Sequence, residues 1–185
     1  MYDSPFATAD SKFKYEPGEI TVREVDPKYC HNDSLVLPPS QYIIGDPCYS
    51  AGLDDDAWPK WVDIALKEEP IEVAMYGDYP VTSVKTAHGD GSYLGSDGKY
   101  YPVDSGAIGA VPVELMERMG ISKDEYDHVT QVIEVPNNKT LTITEDDGAI
   151  VFSIEDQDDL VIDTDPDFED CDDEKFYEDD EDYSW

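Results

Sequence analysis

The chain has 185 residues, 39% of them hydrophobic, and sets 45 Asp and Glu against 12 Lys and Arg for a formal net charge of −33. That length and apolar content suit one compact domain with an appendage, while the charge excludes direct contact with nucleic acid or an anionic membrane, both of which need clustered cations. The excess is not confined to the end: residues 163–185 hold 13 carboxylates and one lysine, so −12 of the −33 lies there and −21 remains on residues 1–162.

In chain order, residues 1–18 are polar and rich in turn formers and read as a flexible arm, leaving residues 19–162 as the folded domain. Residues 19–25 (EITVREV) alternate apolar and polar side chains, the signature of a half-buried strand that Asp26-Pro27 ends. A polar loop is expected through Pro38-Pro39, then a short strand over 41–44 running into a sharp turn at Gly45-Asp46-Pro47. Asp54-Asp55-Asp56 ahead of Trp58-Pro59 predicts a helix to about Leu66, with Trp58, Trp61, Val62 and Ala65 on one apolar stripe that packs against a sheet.

From Ile71 the pattern turns to strands, at 71–76, 80–86, 92–94 and 99–103, and an antiparallel meander is the natural reading. Gly-Asp-Gly at 89–91 and Ser-Asp-Gly at 96–98 separate the later ones, as turn sequences that tolerate positive φ. A buried-type strand at 107–111 precedes a helix over 113–119 that Gly120 closes, and Ser122 with Glu125 forms a capping-box pattern. Strands follow at 129–135, 140–144, 149–154 and 160–162, with Pro136-Asn137-Asn138 and Glu145 to Gly148 expected as hairpin links. The class is therefore α+β, mostly β, a single domain of antiparallel strands with two or three short helices and a disordered acidic C-terminal tail over residues 163–185.

The start of the chain lacks the basic and apolar stretches of a secretory signal, and no apolar run approaches the ~20 residues that span a bilayer, which points to a cytoplasmic protein. Cys30, Cys48 and Cys171 are odd in number and widely spaced, without a CxxC pair, and read as reduced thiols.

Unusual local sequence gathers in Tyr42-Ile43-Ile44-Gly45-Asp46-Pro47-Cys48-Tyr49, in Thr86-Ala87-His88-Gly89-Asp90-Gly91-Ser92-Tyr93, and in Val103-Asp104-Ser105-Gly106-Ala107-Ile108-Gly109 running to Pro112. The combination IGDPCY, TAxGDGxY and VDSGxIGxxP resembles a group of small uncharacterised bacteriophage proteins, over residues 41 to about 163. The resemblance implies phage origin and action in the cytoplasm of an infected bacterium; it carries no activity and no catalytic residues.

The polar residues in these motifs are Asp46, Cys48, His88, Asp90, Asp104 and Ser105, with Tyr93 beside them. Cys48, His88 and Asp104 supply the residue types of a nucleophile, a base and its orienting group, the basis of a small hydrolase. The overall negative charge argues against it, because a thiolate adds another anion. Asp46, Asp90, Asp97 and Asp104 lie in or beside turns and are the residues a cation would need, yet the spacing after Asp90 does not follow a twelve-residue calcium loop, whose last position here is Tyr101. Asp and Gly are also what tight turns prefer. No metal and no cofactor is expected, since GDGSYLGSDG lacks the Lys-Ser/Thr of a phosphate loop.

The tail sets Phe168, Phe176, Tyr177 and Trp185 among carboxylates, a composition that would steer toward a basic groove and anchor there, or else serve solubility alone. Three functions stay open. The first is an acidic binding protein, a nucleic-acid mimic that occupies the basic groove of a host enzyme or defence factor. The others are the hydrolase or metal-binding enzyme on Cys48, His88 and Asp104, and a structural or virion-associated module. For the mimic, spread matters: a body of roughly 18 kDa exposes about 8,000 Å², hence one net charge per about 400 Å². Duplex DNA carries about one per 100 Å², from its ~1.7 Å axial spacing and a radius of about 10 Å. The carboxylates must therefore gather on one face.

Overall fold

The structure, a computed structural model, describes residues 22–24, 29–31, 34–50, 63, 71–118 and 130–165. The expected N-terminal arm, the helix from Asp54 (save Asp63), the capping box at Ser122 and the tail beyond Asp165 lie outside these residues.

The described chain is mostly β and antiparallel, with two short helices. It runs β1 (Val22–Glu24), β2 (Cys30–His31), β3 (Ser34–Leu37), β4 (Gln41–Gly45), α1 (Pro47–Ser50), β5 (Ile71–Tyr76), β6 (Tyr79–Lys85), β7 (Gly91–Leu94) and β8 (Tyr100–Val103). It continues through β9 (Ala107–Pro112), α2 (Val113–Arg118), β10 (Gln131–Glu134), β11 (Leu141–Asp146), β12 (Ala149–Ile154) and β13 (Leu160–Asp163). Six strands form one sheet in the order β1-β5-β6-β9-β4-β10, five form a second in the order β13-β12-β11-β3-β2, and β7 and β8 make a separate ribbon.

The two large sheets share one core. Strand periodicity directs Leu35 and Leu37 of β3, Leu141 and Ile143 of β11, and Ile150, Phe152 and Ile154 of β12 into the same cluster as Tyr42 and Ile44 of β4, Val81 and Val84 of β6 and Ile108 of β9. On β4 the alternation also serves the far face, where Ile43 packs with Val113 and Met116 of α2. The Tyr79 hydroxyl donates to Glu114 at 2.8 Å, and Arg118 reaches the same carboxylate at 2.9 Å while lying 5.3 Å from the Tyr79 ring centroid, which pins α2 to β6.

The ribbon bridges the layers. Gly95 forms a bridge with Ile162, and Ser96 donates its amide to the Val161 carbonyl at 2.7 Å, so the ribbon covers the β13 edge. Tyr93, Tyr101 and Val103 then enter the common core.

Several expectations change. Residues 28–39 are not simply loop: Ser34–Leu37 is a strand paired with β11, and Cys30–His31 pairs with it. The meander breaks after β6, because β6 pairs with β9 and not with β7. Pro136-Asn137-Asn138 is a crossover, since β10 pairs with β4 in one sheet and β11 with β12 in the other. The Asp146 to Ala149 connection is a true hairpin, with Asp147 and Gly148 at φ of 49° and 81°, the two positive values that a tight primed turn demands. Gly45-Asp46-Pro47 is not only a turn but the start of α1.

Candidate functional site

Asp46 is wholly buried, and its position follows from local helix chemistry. It caps α1: Oδ1 accepts the Cys48 amide at 2.8 Å, its carbonyl accepts the Tyr49 and Ser50 amides at 3.2 and 3.4 Å, and Pro47 occupies the first helical position, where no amide is needed. The rest of the carboxylate reaches across the fold. Oδ2 accepts the amides of Asp104 and Ser105 at 2.7 and 2.8 Å, and Oδ1 accepts the Ser105 hydroxyl at 2.5 Å. The IGDPCY and VDSG motifs thus meet at one charge-assisted knot.

The second motif joins them through Thr86. Its amide donates to the Gly106 carbonyl at 3.1 Å and its hydroxyl to the Gly89 carbonyl at 2.5 Å, which also accepts the Tyr93 hydroxyl at 2.8 Å. Asp46, Ser105 and Tyr93, candidates for binding, are therefore buried and engaged in holding three loops together. Asp90 and Asp104 are exposed on the same junction, and the Tyr49 hydroxyl donates to Asp104 Oδ2.

The nucleophile reading finds no support in this geometry. Burial pushes the Cys48 thiol far above its ordinary range, and the carboxylates of Asp46, Asp104 and Asp90 push it the same way. His88 Nε2 lies 2.9 Å from Asp165 Oδ1, with both side chains about half exposed. Asp104 bears the Tyr49 hydroxyl, whose own ionisation that bond pushes up. Cys48 is thus a half-buried thiol in an anionic setting, the opposite of the electropositive surroundings that generate thiolate.

Nor do the carboxylates converge on an ion. Among the described residues no group of three or more His, Cys, Asp or Glu is arranged to hold a metal. Asp46 already takes four donors, and Asp97 sits on the ribbon turn accepting the Lys99 amide at 3.1 Å and the Tyr101 hydroxyl at 3.0 Å.

What the junction does collect is exposed negative charge. Ala87 donates its amide to Thr164 Oγ1 at 3.0 Å, and Thr164 closes on the Gly148 carbonyl at 2.9 Å through its amide and 2.6 Å through its hydroxyl. Those bonds place the β11–β12 turn, the end of β13 and the β6–β7 loop side by side. Asp146, Asp147, Asp163 and Asp165 are exposed there, next to Asp90 and Asp104. The 20 residues that follow Asp165 in sequence add 11 carboxylates and one lysine.

Thr164, Asp165 and Tyr49 were not singled out in sequence. Thr164 looked like the start of the tail, and only its full burial reveals it as a tie between layers. Tyr49 had a signal, since it ends the IGDPCY motif. Phe168, Phe176, Tyr177 and Trp185 lie outside the described residues. No helix among the described residues is long and apolar enough to cross a membrane. Compared with known proteins, the chain matches no family model, no curated protein and no solved structure.

Proposed function

We propose that the chain is a phage-type acidic binding protein, acting in the bacterial host cytoplasm as a nucleic-acid mimic that occupies the basic groove of a host enzyme or defence factor. The observation that carries the reading is the gathering of Asp90, Asp104, Asp146, Asp147, Asp163 and Asp165 on adjoining turns at one end of the fold, all exposed. An even spread of charge falls short of duplex density; six carboxylates on adjoining turns raise the local density there, and Asp97, Glu134, Glu155, Asp156, Asp158 and Asp159 are exposed elsewhere. Buried Asp46 and Thr164 support the reading indirectly, because they hold the turns in fixed relation and so lower the ordering entropy that binding requires. Aromatic residues among the tail carboxylates would add anchors.

The test is capture from a bacterial lysate, with the wild-type chain and a variant carrying Asn at 90, 104, 146, 147 and 163. Nucleic-acid-binding proteins should be recovered by the wild type at about 50 mM salt, be released at about 500 mM as screening shortens the Debye length, and be missed by the variant. Recovery of no such protein, or of the same set by the variant, sinks the proposal.

A further inference from the structure

At the opposite end of β13 from the acidic turns, the six-stranded sheet among the described residues ends at β10, and the β12–β13 turn stands beside that edge. Between them lies a groove of about 410 Å³. Ile133, Phe152, Ile154 and Leu160 supply apolar lining, Glu134 and Asp158 supply charge, and no Lys or Arg lines it.

Among the described residues, β10 pairs on one side only, with β4, and its other side faces this groove. Val135 donates to the Ser40 carbonyl at 2.8 Å, and the register sets Ile133 opposite Tyr42 and Gln131 opposite Ile44. Antiparallel ladders alternate, so residues 131, 133 and 135 bond toward β4 while the amides and carbonyls of Val132 and Glu134 point outward. The Val132 side chain is 45% exposed, one of three large hydrophobic side chains so placed among the described residues. Natural sheets blunt such an edge with short strands, charged side chains, proline or a bulge; β10 is four residues long and ends on Glu134, yet has no lysine or proline and leaves Val132 exposed.

Charge decides what fits. A second copy of a chain of net charge −33 would be repelled, and so would the segment after Asp165 with its 11 carboxylates. A cationic strand is attracted. Its alternate side chains would fall over Phe152, Ile154 and Leu160 if apolar, and the others would stand beside Glu134 if basic.

We propose that the β10 edge takes an extended peptide in which apolar residues alternate with Lys or Arg, bound by strand addition. This surface is separate from the acidic turns, and the proposal stands without the mimic reading.

The probe is a capped peptide, Lys-Val-Lys-Val-Arg-Val-Lys-Val, titrated into the isotopically labelled full chain, beside a peptide of the same composition with the alternation scrambled. Amide shifts should centre on Gln131–Glu134 and residues 154–160. The scrambled peptide should bind at least tenfold more weakly. Val132→Pro, which removes an outward amide at a position an edge strand tolerates, should weaken binding tenfold or more. The pair Glu134→Gln with Asp158→Asn should weaken it several-fold while keeping the backbone, and it decides the matter if the proline variant does not fold. Equal affinity for the scrambled peptide, shifts confined to the Asp146, Asp147 and Asp165 end, or undiminished binding by the carboxamide variant overturns the proposal.

Discussion

At Asp46 a single carboxylate does three jobs: it caps α1, fixes the β8–β9 loop through two amides, and holds the Ser105 hydroxyl. Replacing it by Ala strands four donors, the two of Ser105 in fully buried bonds and the amides of Cys48 and Asp104 in partly buried ones, and each buried orphan costs about 1–3 kcal/mol. Asp46→Ala should therefore lower stability by about 4 kcal/mol. Asp46→Asn keeps the shape but turns an NH₂ group toward donors that need an acceptor, and should cost about 2–3 kcal/mol. Urea denaturation of both variants checks this; a loss under about 1 kcal/mol for Ala would show that the knot is not structural. The motif around Asp46 was visible in sequence because Gly, Asp and Pro are unusual side by side. Its meaning was not, since the partners Asp104 and Ser105 sit 58 and 59 residues away and a local pattern cannot name them.

The long-range pairing of β6 with β9 shows the same limit at the scale of elements. The strands themselves were legible from β-branched and alternating residues, down to the bounds of β5 and β12. Which strand pairs with which was not, because loop length alone does not choose between β7 and β9 as the neighbour of β6. A chemical reason appears only in the fold. Gly109 of β9 leaves no space for a side chain: a Cβ there would lie 1.8 Å from the Thr82 carbonyl oxygen, and the Thr82 hydroxyl meanwhile accepts the Ala110 amide at 2.7 Å. Close approach of the two backbones is thus built from one glycine and one hydroxyl. Gly109→Ala should force β6 and β9 apart and cost about 3 kcal/mol or more, at the upper end of overpacking. Gly98→Ala is the matched control, since its Cβ would meet open space and only its φ of +78° opposes it, for about 1 kcal/mol. Thermal melts of the two variants should rank them in that order; equal losses would remove the close-approach argument. The strand Ser34–Leu37 escaped notice because three apolar residues between Asp33-Ser34 and Pro38-Pro39 look like a loop until β11 pairs with them.

Over the whole molecule, the charge total was readable from composition, but its placement was not, because the topology decides which turns carry Asp90, Asp104, Asp146, Asp147, Asp163 and Asp165 together and which carry the equally exposed Asp97, Glu134, Glu155, Asp156, Asp158 and Asp159. That charge and the buried phenols act on stability through different physics, and pH separates them. Burial pushes Tyr42 and Tyr101 far above the ordinary phenol range, with Asp97 adding to the effect at Tyr101. In the folded state both keep their protons at a pH where the unfolded chain has lost them. The folded state then binds more protons, so stability falls as pH rises. The contribution is complete below the unfolded phenol value of about 10 and is lost above it, with Tyr42 alone giving a slope of at most about 1.4 kcal/mol per pH unit. Melting temperature should accordingly drop steeply between about pH 9.5 and 11. Salt at about 500 mM should raise it at every pH, because screening relieves repulsion among exposed carboxylates. The slope should persist in salt, since desolvation of a buried hydroxyl is not screened, and Tyr42→Phe should flatten it. If salt abolishes the alkaline drop, or the phenylalanine variant keeps it unchanged, then added surface charge rather than the buried tyrosines governs the transition.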